Sequence, residues 1–545
     1  MERERIEALI NAGFEHVETH ISHVFVGEES VWKVKKAVDF GFLDFSSPAK
    51  RRAACDDEVR LNRRLVGDVY RGVGALIDSG DGPRFVTAEE ANELEDEVLG
   101  DAARDEPEPA VLMRRLREDD RADLLLARGR LDAAALERVA VRLAAFHAAA
   151  RSDEAIRRYG RLAAVRRNIE ENFEQTRDTI AEHFDAEQAA ELARRQRAEM
   201  ARHEGLFAAR VEQGRVVEGH GDLRLDHVYL ETGPEGDERI TIVDCIEFSE
   251  RLRAVDVACD IAFLAMDLSV AGRPDLAERF LAAYARAAGD FDLYALVDFY
   301  ESYRAHVRAK IASFVVADPA VPRRVREAKH EEARRHYLLA LASERRPLRP
   351  PRLIAVGGVI ASGKSTIARA VAAALDAPSL DADSTRKRLL GVDPRASLHH
   401  APFAGAYTTE TTHRIYTELL RAARIVLGSG RSLVVDATFR SRGERARFRA
   451  LAASLGVPFV LVECCCSPAV CRARLERRAS DDTAGASDGR LEIFDEFIAS
   501  WQPVDELPAA EHVIVDTERP LVQTLPALEA RLGLEVGLDR AREHA

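Results

Sequence analysis

LIAVGGVIASGKST, residues 353–366, decides how the second half of the chain reads. Leu353 to Val356 is an apolar run of strand length, and Ser365 to Leu375 is alanine-rich and patterned as a helix. Between them, Gly358-Val-Ile-Ala-Ser-Gly363-Lys364-Ser365 spaces two glycines, a lysine and a hydroxyl as a phosphate-binding turn does. Glycines let backbone N–H groups converge on phosphate oxygens, and the start of the helix adds positive potential. Gly358, Ser362, Gly363, Lys364, Ser365 and Thr366 therefore make up the expected cradle. Lys364 would reach the outer phosphates of a nucleotide, and the Ser365 hydroxyl would ligate its Mg²⁺.

Working outward, RRPLRPP (345–351) is a proline-rich break and the expected domain boundary. Beyond it, SLVVDAT, PFVLVECC and EHVIVDT alternate with helical stretches, the pattern of a parallel α/β sheet. Asp381-Ala-Asp383-Ser-Thr-Arg386-Lys387 follows a short strand at Ser379 and Leu380. It resembles the D-x-x-R element of small P-loop kinases such as the polynucleotide, gluconate and zeta-toxin-like kinases. The resemblance implies Asp383 as the base that takes the acceptor hydroxyl's proton, and Arg386 as the clamp on acceptor or phosphate. Read on its own, Asp383 serves equally as a helix N-cap. Asp436, closing VVDAT, either holds Mg²⁺ through water or is a buried structural aspartate. Cys471-Arg-Ala-Arg474-Leu-Glu-Arg477-Arg478 and the polar loop 480–490 fall where that family has its lid, which implies Arg474 over the transferring phosphoryl group. The alternative is a solvated helix face. The base-reading N-K-x-D of switch GTPases is absent from the sequence.

In the first half, His220-Gly221-Asp222-Leu223 lies between apolar runs, and Asp244 closes the strand RITIV. One carboxylate to accept a hydroxyl proton, and a second at a strand end to hold Mg²⁺, is the pair that phosphoryl transfer uses. The layout resembles the aminoglycoside phosphotransferase (choline-kinase-like) family, whose loop reads H-G-D-x-x-x-x-N followed by I-D. The resemblance implies Asp222 as the catalytic aspartate and Asp244 as the metal ligand. His227 stands where the family has asparagine; a neutral imidazole ligates Mg²⁺ less well than an oxygen, and Asp226 offers a competing carboxylate.

The strand Ser30 to Val38 carries Lys33 and Lys35 on one face and Trp32, Val34 and Lys36 on the other, in a chain where arginine far outnumbers lysine. A kinase fold needs one lysine here for the α/β-phosphates. Val31, placed to cover adenine, favours Lys33, with Lys35 second, and Glu58 in CDDEVRLNRRL is the natural partner. An exposed, charged edge strand is the alternative. LAAFH (143–147), DFGFLDF (39–45) and YRAHVRAK (303–310) extend the likeness. Nearly the whole chain is similar to bacterial proteins described as bifunctional aminoglycoside phosphotransferase/ATP-binding proteins.

At 545 residues the chain exceeds the roughly 100–200 of one domain, so two or three are expected. We expect a protein-kinase-like α+β domain over 1–345 (small lobe 1–116, helical large lobe 117–345), a linker at 346–351, an α/β P-loop domain over 352–535 and a tail at 536–545. The net charge of -14 gives no overall attraction to nucleic acid or anionic lipid, which weighs against a nucleic-acid end kinase. No apolar run of about 18 residues suggests a membrane span, and the charged N-terminus lacks a signal-peptide core, so a cytoplasmic protein is expected. The seven cysteines, three of them consecutive at 464–466, have no zinc spacing and read as reduced, mostly buried thiols. The function expected is transfer of the ATP γ-phosphoryl to a small-molecule hydroxyl with Mg²⁺. The rival reading is an ATP-binding sensor or scaffold whose first half is catalytically idle.

Overall fold

Alternation in SVWKVK makes the strand Ser30–Lys35 (β3) bury Trp32 and Val34 on one side and turn its lysines to the other. The computed structural model describes residues 1–39, 43–79, 82–90, 107–233, 236, 238–342, 349–392, 408–479 and 491–534. Two compact units result: 1–270 with 300–341, and 271–299 with 342–545.

In the first unit, β1 (Glu15–Glu18), β2 (Ser22–Val26), β3, β4 (Tyr70–Ser79), β5 (Gly82–Val86) and β6 (Glu108–Arg114) form an antiparallel sheet in the order β1-β2-β3-β6-β4-β5. One face packs Phe25, Trp32, Val34, Leu76 and Ala110 against Leu9 of the helix Arg3–Asn11. Trp32 stacks on Phe85 at 4.9 Å, and a Cβ on Gly74 would come within 2.8 Å of the indole, so only glycine lets β4 approach there. The helix Pro48–Val66 starts on a Ser47 cap, with proline in its first turn, and buries Glu58. The helical remainder carries two small ladders: β7 (Val216–Glu218) pairs with β10 (Ala254–Asp256), and β8 (Val228–Thr232) pairs with β9 (Glu238–Ile242). The loops leaving β7 and β9 hold Asp222 and Asp244. The β8–β9 register brings those loops together, with Val243 N–H donating to the His227 carbonyl at 3.0 Å.

In the second unit, β11 (Leu353–Gly357), β12 (Ser379–Asp381), β13 (Leu433–Asp436), β14 (Phe459–Cys465) and β15 (His512–Asp516) form a parallel sheet in the order β12-β13-β11-β14-β15. Its central strand is buried throughout. Ile354, Val356, Val434 and Val462 pack with Val371 of the helix Lys364–Leu375 and Leu528 of the helix Leu521–Arg531. Parallel strands buried on both faces read as the continuous apolar runs seen in the sequence.

The division differs from a single boundary near 345–352 in one segment. Residues 271–299, with the helix Pro274–Ala288, belong to the second unit. The physical reason is Arg431, whose buried guanidinium is bidentate to Glu278 (2.7 and 3.0 Å) and also meets Asp298 (2.7 and 3.1 Å), while Arg421 reaches Asp292 at 2.7 Å. The linker residues 346–348, the lid loop 480–490, the tail 536–545, Phe40 to Phe42 of DFGFLDF and residues 80–81 and 91–106 of the acidic stretch lie outside the described residues. Among those described, no helix is long and apolar enough to cross a membrane.

Candidate functional site

The lysines of β3 converge on one carboxylate. Lys33 Nζ donates to Glu58 Oε1 at 2.9 Å and to Asp244 Oδ1 at 2.8 Å. Lys35 Nζ donates to Glu58 Oε2 at 2.7 Å and to Glu247. Lys35 is sealed from solvent, whereas Lys33 is the one that reaches Asp244. Burial works against the Lys33 charge, but the Asp244 and Glu58 carboxylates outweigh it and raise its pKa above the ordinary lysine range. Burial likewise opposes the Asp244 charge, yet Lys33 and His227 hold that carboxyl well below the usual range. Asp244 has φ of 69°, a left-handed conformation uncommon for a non-glycine residue and often found at functional sites.

The loop after β7 is anchored from beneath. His220 and Gly221 N–H groups donate to the two oxygens of Asp260 at 2.7 and 2.9 Å, and His147 Nε2 lies 3.1 Å from the same carboxylate. The His220 ring donates to the Val243 carbonyl at 2.9 Å, and Cys245 N–H to Asn62 at 3.0 Å, so the two aspartate loops are tied together and to the helix Pro48–Val66. His227 Nδ1 donates to the Asp222 carbonyl at 2.8 Å. That assigns the lone pair to Nε2, which faces Asp244 Oδ2 at 3.6 Å and Asp226 Oδ1 at 3.9 Å. Arg224 stands among these groups: it donates to His227 Nε2 at 2.9 Å and pairs with Asp222 at 3.2 Å and Asp226 at 3.0 Å.

In the second unit, the loop between β11 and its helix bends through Gly358 (φ 144°), Ala361 (φ 61°) and Gly363 (φ 87°). A Cβ on Gly358 would lie 2.6 Å from the Cys464 carbonyl oxygen, which restricts that position to glycine. Lys364 Nζ folds back onto the Val359 carbonyl at 2.9 Å. Asp436 ends β13 directly beside Val356 of β11 and Asp381 of β12. Burial pushes its pKa up to about 6, with Lys364 and the Ser365 hydroxyl pulling it down and Asp381 and Asp383 pushing it further up. Asp381 caps the helix Ala382–Leu389, accepting from Ser384 N–H at 2.6 Å. The capping role is thus filled by Asp381, and Asp383 instead pairs with Arg386 one turn on. Arg474 donates to the carbonyls of Ala361 (3.2 Å) and Thr517 (2.5 Å), and the Thr517 hydroxyl donates to the Ser362 carbonyl at 2.6 Å. Its guanidinium braces the phosphate loop, a placement neither the lid reading nor the solvated-face reading anticipates.

Two family models match: the Phosphotransferase enzyme family over residues 83–300 and an AAA domain over 353–504. The uncharacterized protein Rv2004c of Mycobacterium tuberculosis is 34% identical over 483 residues, spanning 87% of this chain and 88% of the relative. This chain belongs to the same two-part family. A choline/ethanolamine kinase family protein from Mesorhizobium loti is similar over 61% of this chain and 91% of its own (12% identity, TM-score 0.34). A gluconokinase from Sinorhizobium meliloti is similar over 34% of this chain and 93% of its own (20% identity, TM-score 0.26). By the two family models, the chain is a half of the Phosphotransferase enzyme family followed by an AAA-domain half that carries the P-loop sequence. Within this family arrangement, Lys33 and Glu58 precede the residues matched by the first model, while Asp222 and Asp244 fall inside them. Lys364, Asp383, Asp436 and Arg474 all fall inside the second.

Three site residues were missed by sequence reasoning. Glu247 had a signal, an acid three residues past Asp244 in a short apolar run. Asp260 stands in the mostly apolar helix Val257–Val270, which also carries Asp267, and buried acids are almost always paired. Arg224 carried no such signal, because arginine fills generic surface positions throughout this chain.

Proposed function

We propose that each half binds Mg·ATP and transfers its γ-phosphoryl group to a hydroxyl of a small molecule. The observation that carries this is the bridge of Lys33 between Glu58 and Asp244. It ties the small-lobe strand, its helix and the loop after β9 into one arrangement suited to α/β-phosphates and a metal. Asp222 is the proton acceptor for the attacking hydroxyl, and Asp383 has that role in the second half with Arg386 as clamp. Lys364 and Ser365 bind the nucleotide with the rest of the loop Gly358 to Thr366, and Arg474 is a positioning residue for that loop. The domains of this reading are 1–345 and 352–535, with 271–299 contributing to the second.

In the first half, Asp244 Oδ2 and Asp226 Oδ1, a buried oxygen without a hydrogen bond among the described residues, lie 3.6 and 3.9 Å from His227 Nε2, whose lone pair accepts from Arg224. They would have to draw together to hold Mg²⁺, and among the described residues no three such groups are gathered around one ion position. In the second half, Ser365 and the charge-strained Asp436 would hold the ion. When bound, the ion neutralises phosphate charge as transfer proceeds. The idle-first-half reading is favoured by Arg224, whose cation occupies the neighbourhood of these ligands.

Phosphoryl transfer by the full chain in a Lys364→Ala background reports on the first half. Asp222→Asn should abolish turnover while ATP still binds, and Asp244→Asn should weaken Mg·ATP binding itself. Arg224→Ala should lower the Mg²⁺ requirement if the arginine only competes with the metal. Turnover and nucleotide affinity unmoved by all three changes would make the first half a scaffold.

A further inference from the structure

The first unit contains a narrow cleft lined by Tyr159, Asn168, Leu252, Asp256, Tyr303 and Arg304, among others. Arg304 is only 5% exposed. Its Nε donates to the Cys259 carbonyl at 3.3 Å, and the guanidinium lies over the rings of Phe263 (4.7 Å) and Tyr303 (5.6 Å). Nη2 is buried without a hydrogen-bond partner, and among the described residues no carboxylate lies within ion-pair distance of this arginine. Other buried arginines of the unit are neutralised: Arg210 is bidentate to Asp256, Arg253 meets Glu218, and Arg51 meets Glu108. Burial disfavours this charge, but the Cys259 thiol and Tyr303 hydroxyl, with the Asp260 and Asp222 carboxylates beyond ion-pair distance, outweigh it and raise its pKa; what is left unmet is the hydrogen-bonding capacity of Nη2. Asp256, the acidic member of the lining, has both oxygens engaged by Arg210 and offers no compensation.

The cleft is next to the proposed chemistry. Its wall includes β10, and the paired strand β7 runs directly into His220-Gly221-Asp222. We propose that this cleft binds the anionic group of the first half's acceptor, a hydroxyl compound that also carries a carboxylate or phosphate, through Arg304. The word acceptor rests on the kinase reading above; the anion site rests on Arg304 alone. A fixed guanidinium here disfavours ammonium-bearing acceptors, so the proposal separates this chain from a kinase for amino sugars or choline.

The test uses the full chain in the Lys364→Ala background, with binding of inorganic phosphate, gluconate, glycerol 3-phosphate, glucose and choline followed by calorimetry. The anions should bind and glucose and choline should not. Arg304→Met should weaken anion binding roughly ten- to hundredfold, the worth of one or two charged hydrogen bonds, and Arg304→Lys should recover part of it. Asn168→Asp, which adds a negative charge at the cleft without removing the arginine, should weaken the anions as well, and it stands in if Arg304→Met does not fold. Equal binding of choline and anions, no anion binding, or an Arg304→Met protein that folds and keeps full anion affinity overturns the proposal. Anion binding that depends on Arg304 but is followed by no phosphoryl transfer from ATP supports the site and removes the kinase reading instead.

Discussion

Asp436 carries a charge where burial disfavours it, and that gives two opposite expectations for one substitution. Its pKa of about 6 is raised above the unfolded value, so the ionised group opposes folding at neutral pH. That opposition disappears as pH falls through about 6 toward the ordinary carboxylate range. Asp436→Asn should therefore stabilise the metal-free protein by about 2–3 kcal/mol at pH 7.5. The gain should shrink at pH 5, while Mg²⁺-dependent ATP binding weakens. Thermal melts with and without Mg·ATP measure both, and a lowered metal-free melting point would contradict the account. The two lysines of β3 divide in a similar way. Lys35→Met leaves Glu58 and Glu247 buried with less compensation and should cost about 3–5 kcal/mol in urea unfolding. Lys33→Met should act chiefly on the KM for ATP and on turnover, because Asp244 beside it remains half-exposed.

At the scale of elements, the loop that carries Asp222 is held by a residue that touches no substrate in the proposed scheme. Asp260, on the helix Val257–Val270, receives two successive loop N–H groups and His147. Asp260→Asn should lower kcat by roughly 10–100-fold through displacement of Asp222, with ATP affinity little changed. An unchanged kcat in a folded variant would show that the loop holds its shape without this anchor. The strands were legible in sequence because alternation and apolar runs are local properties. SVWKVK, RITI and VVD form strands as their patterns indicate, the first ending at Lys35 short of Val38 and the second at Ile242, two residues before Asp244, and HGD with a later aspartate points to the site proposed for the first half. The preference for Lys33 over Lys35 rests in sequence on Val31 alone, since both lysines share a face, and the contact that sets them apart is with a residue 211 positions away. In D-A-D, 381–383, either acid has capping chemistry, and backbone geometry alone selects Asp381. Arg474 stands out in sequence, but as a lid residue; its carbonyl partners leave no mark there.

For the whole molecule, the decisive feature is that the second unit takes its helix Pro274–Ala288 from the middle of the first half's sequence. A fragment beginning near Pro350 keeps the phosphate loop but loses both acids that meet Arg431. It should unfold at lower urea than the second unit does within the full chain, even if it still binds ATP. Glu278→Gln in the full chain isolates the charge effect and should cost about 2–3 kcal/mol, less than a fully broken buried pair because Asp298 remains. Equal stability of the fragment and the intact chain would show that 271–299 is a passive appendage.

The same discontinuity sets an order of events during synthesis. Glu278 leaves the ribosome 153 residues ahead of Arg431. At about 5–20 residues per second that is a wait of roughly 8–30 s. Throughout it the helix Pro274–Ala288 exists without the sheet it belongs to, its apolar side available to chaperones or to the unfinished first unit. Slow codons or a stalled ribosome between 300 and 430 would lengthen that exposure, so the yield of folded protein should depend on translation speed in this window more than in the stretch beyond Arg431.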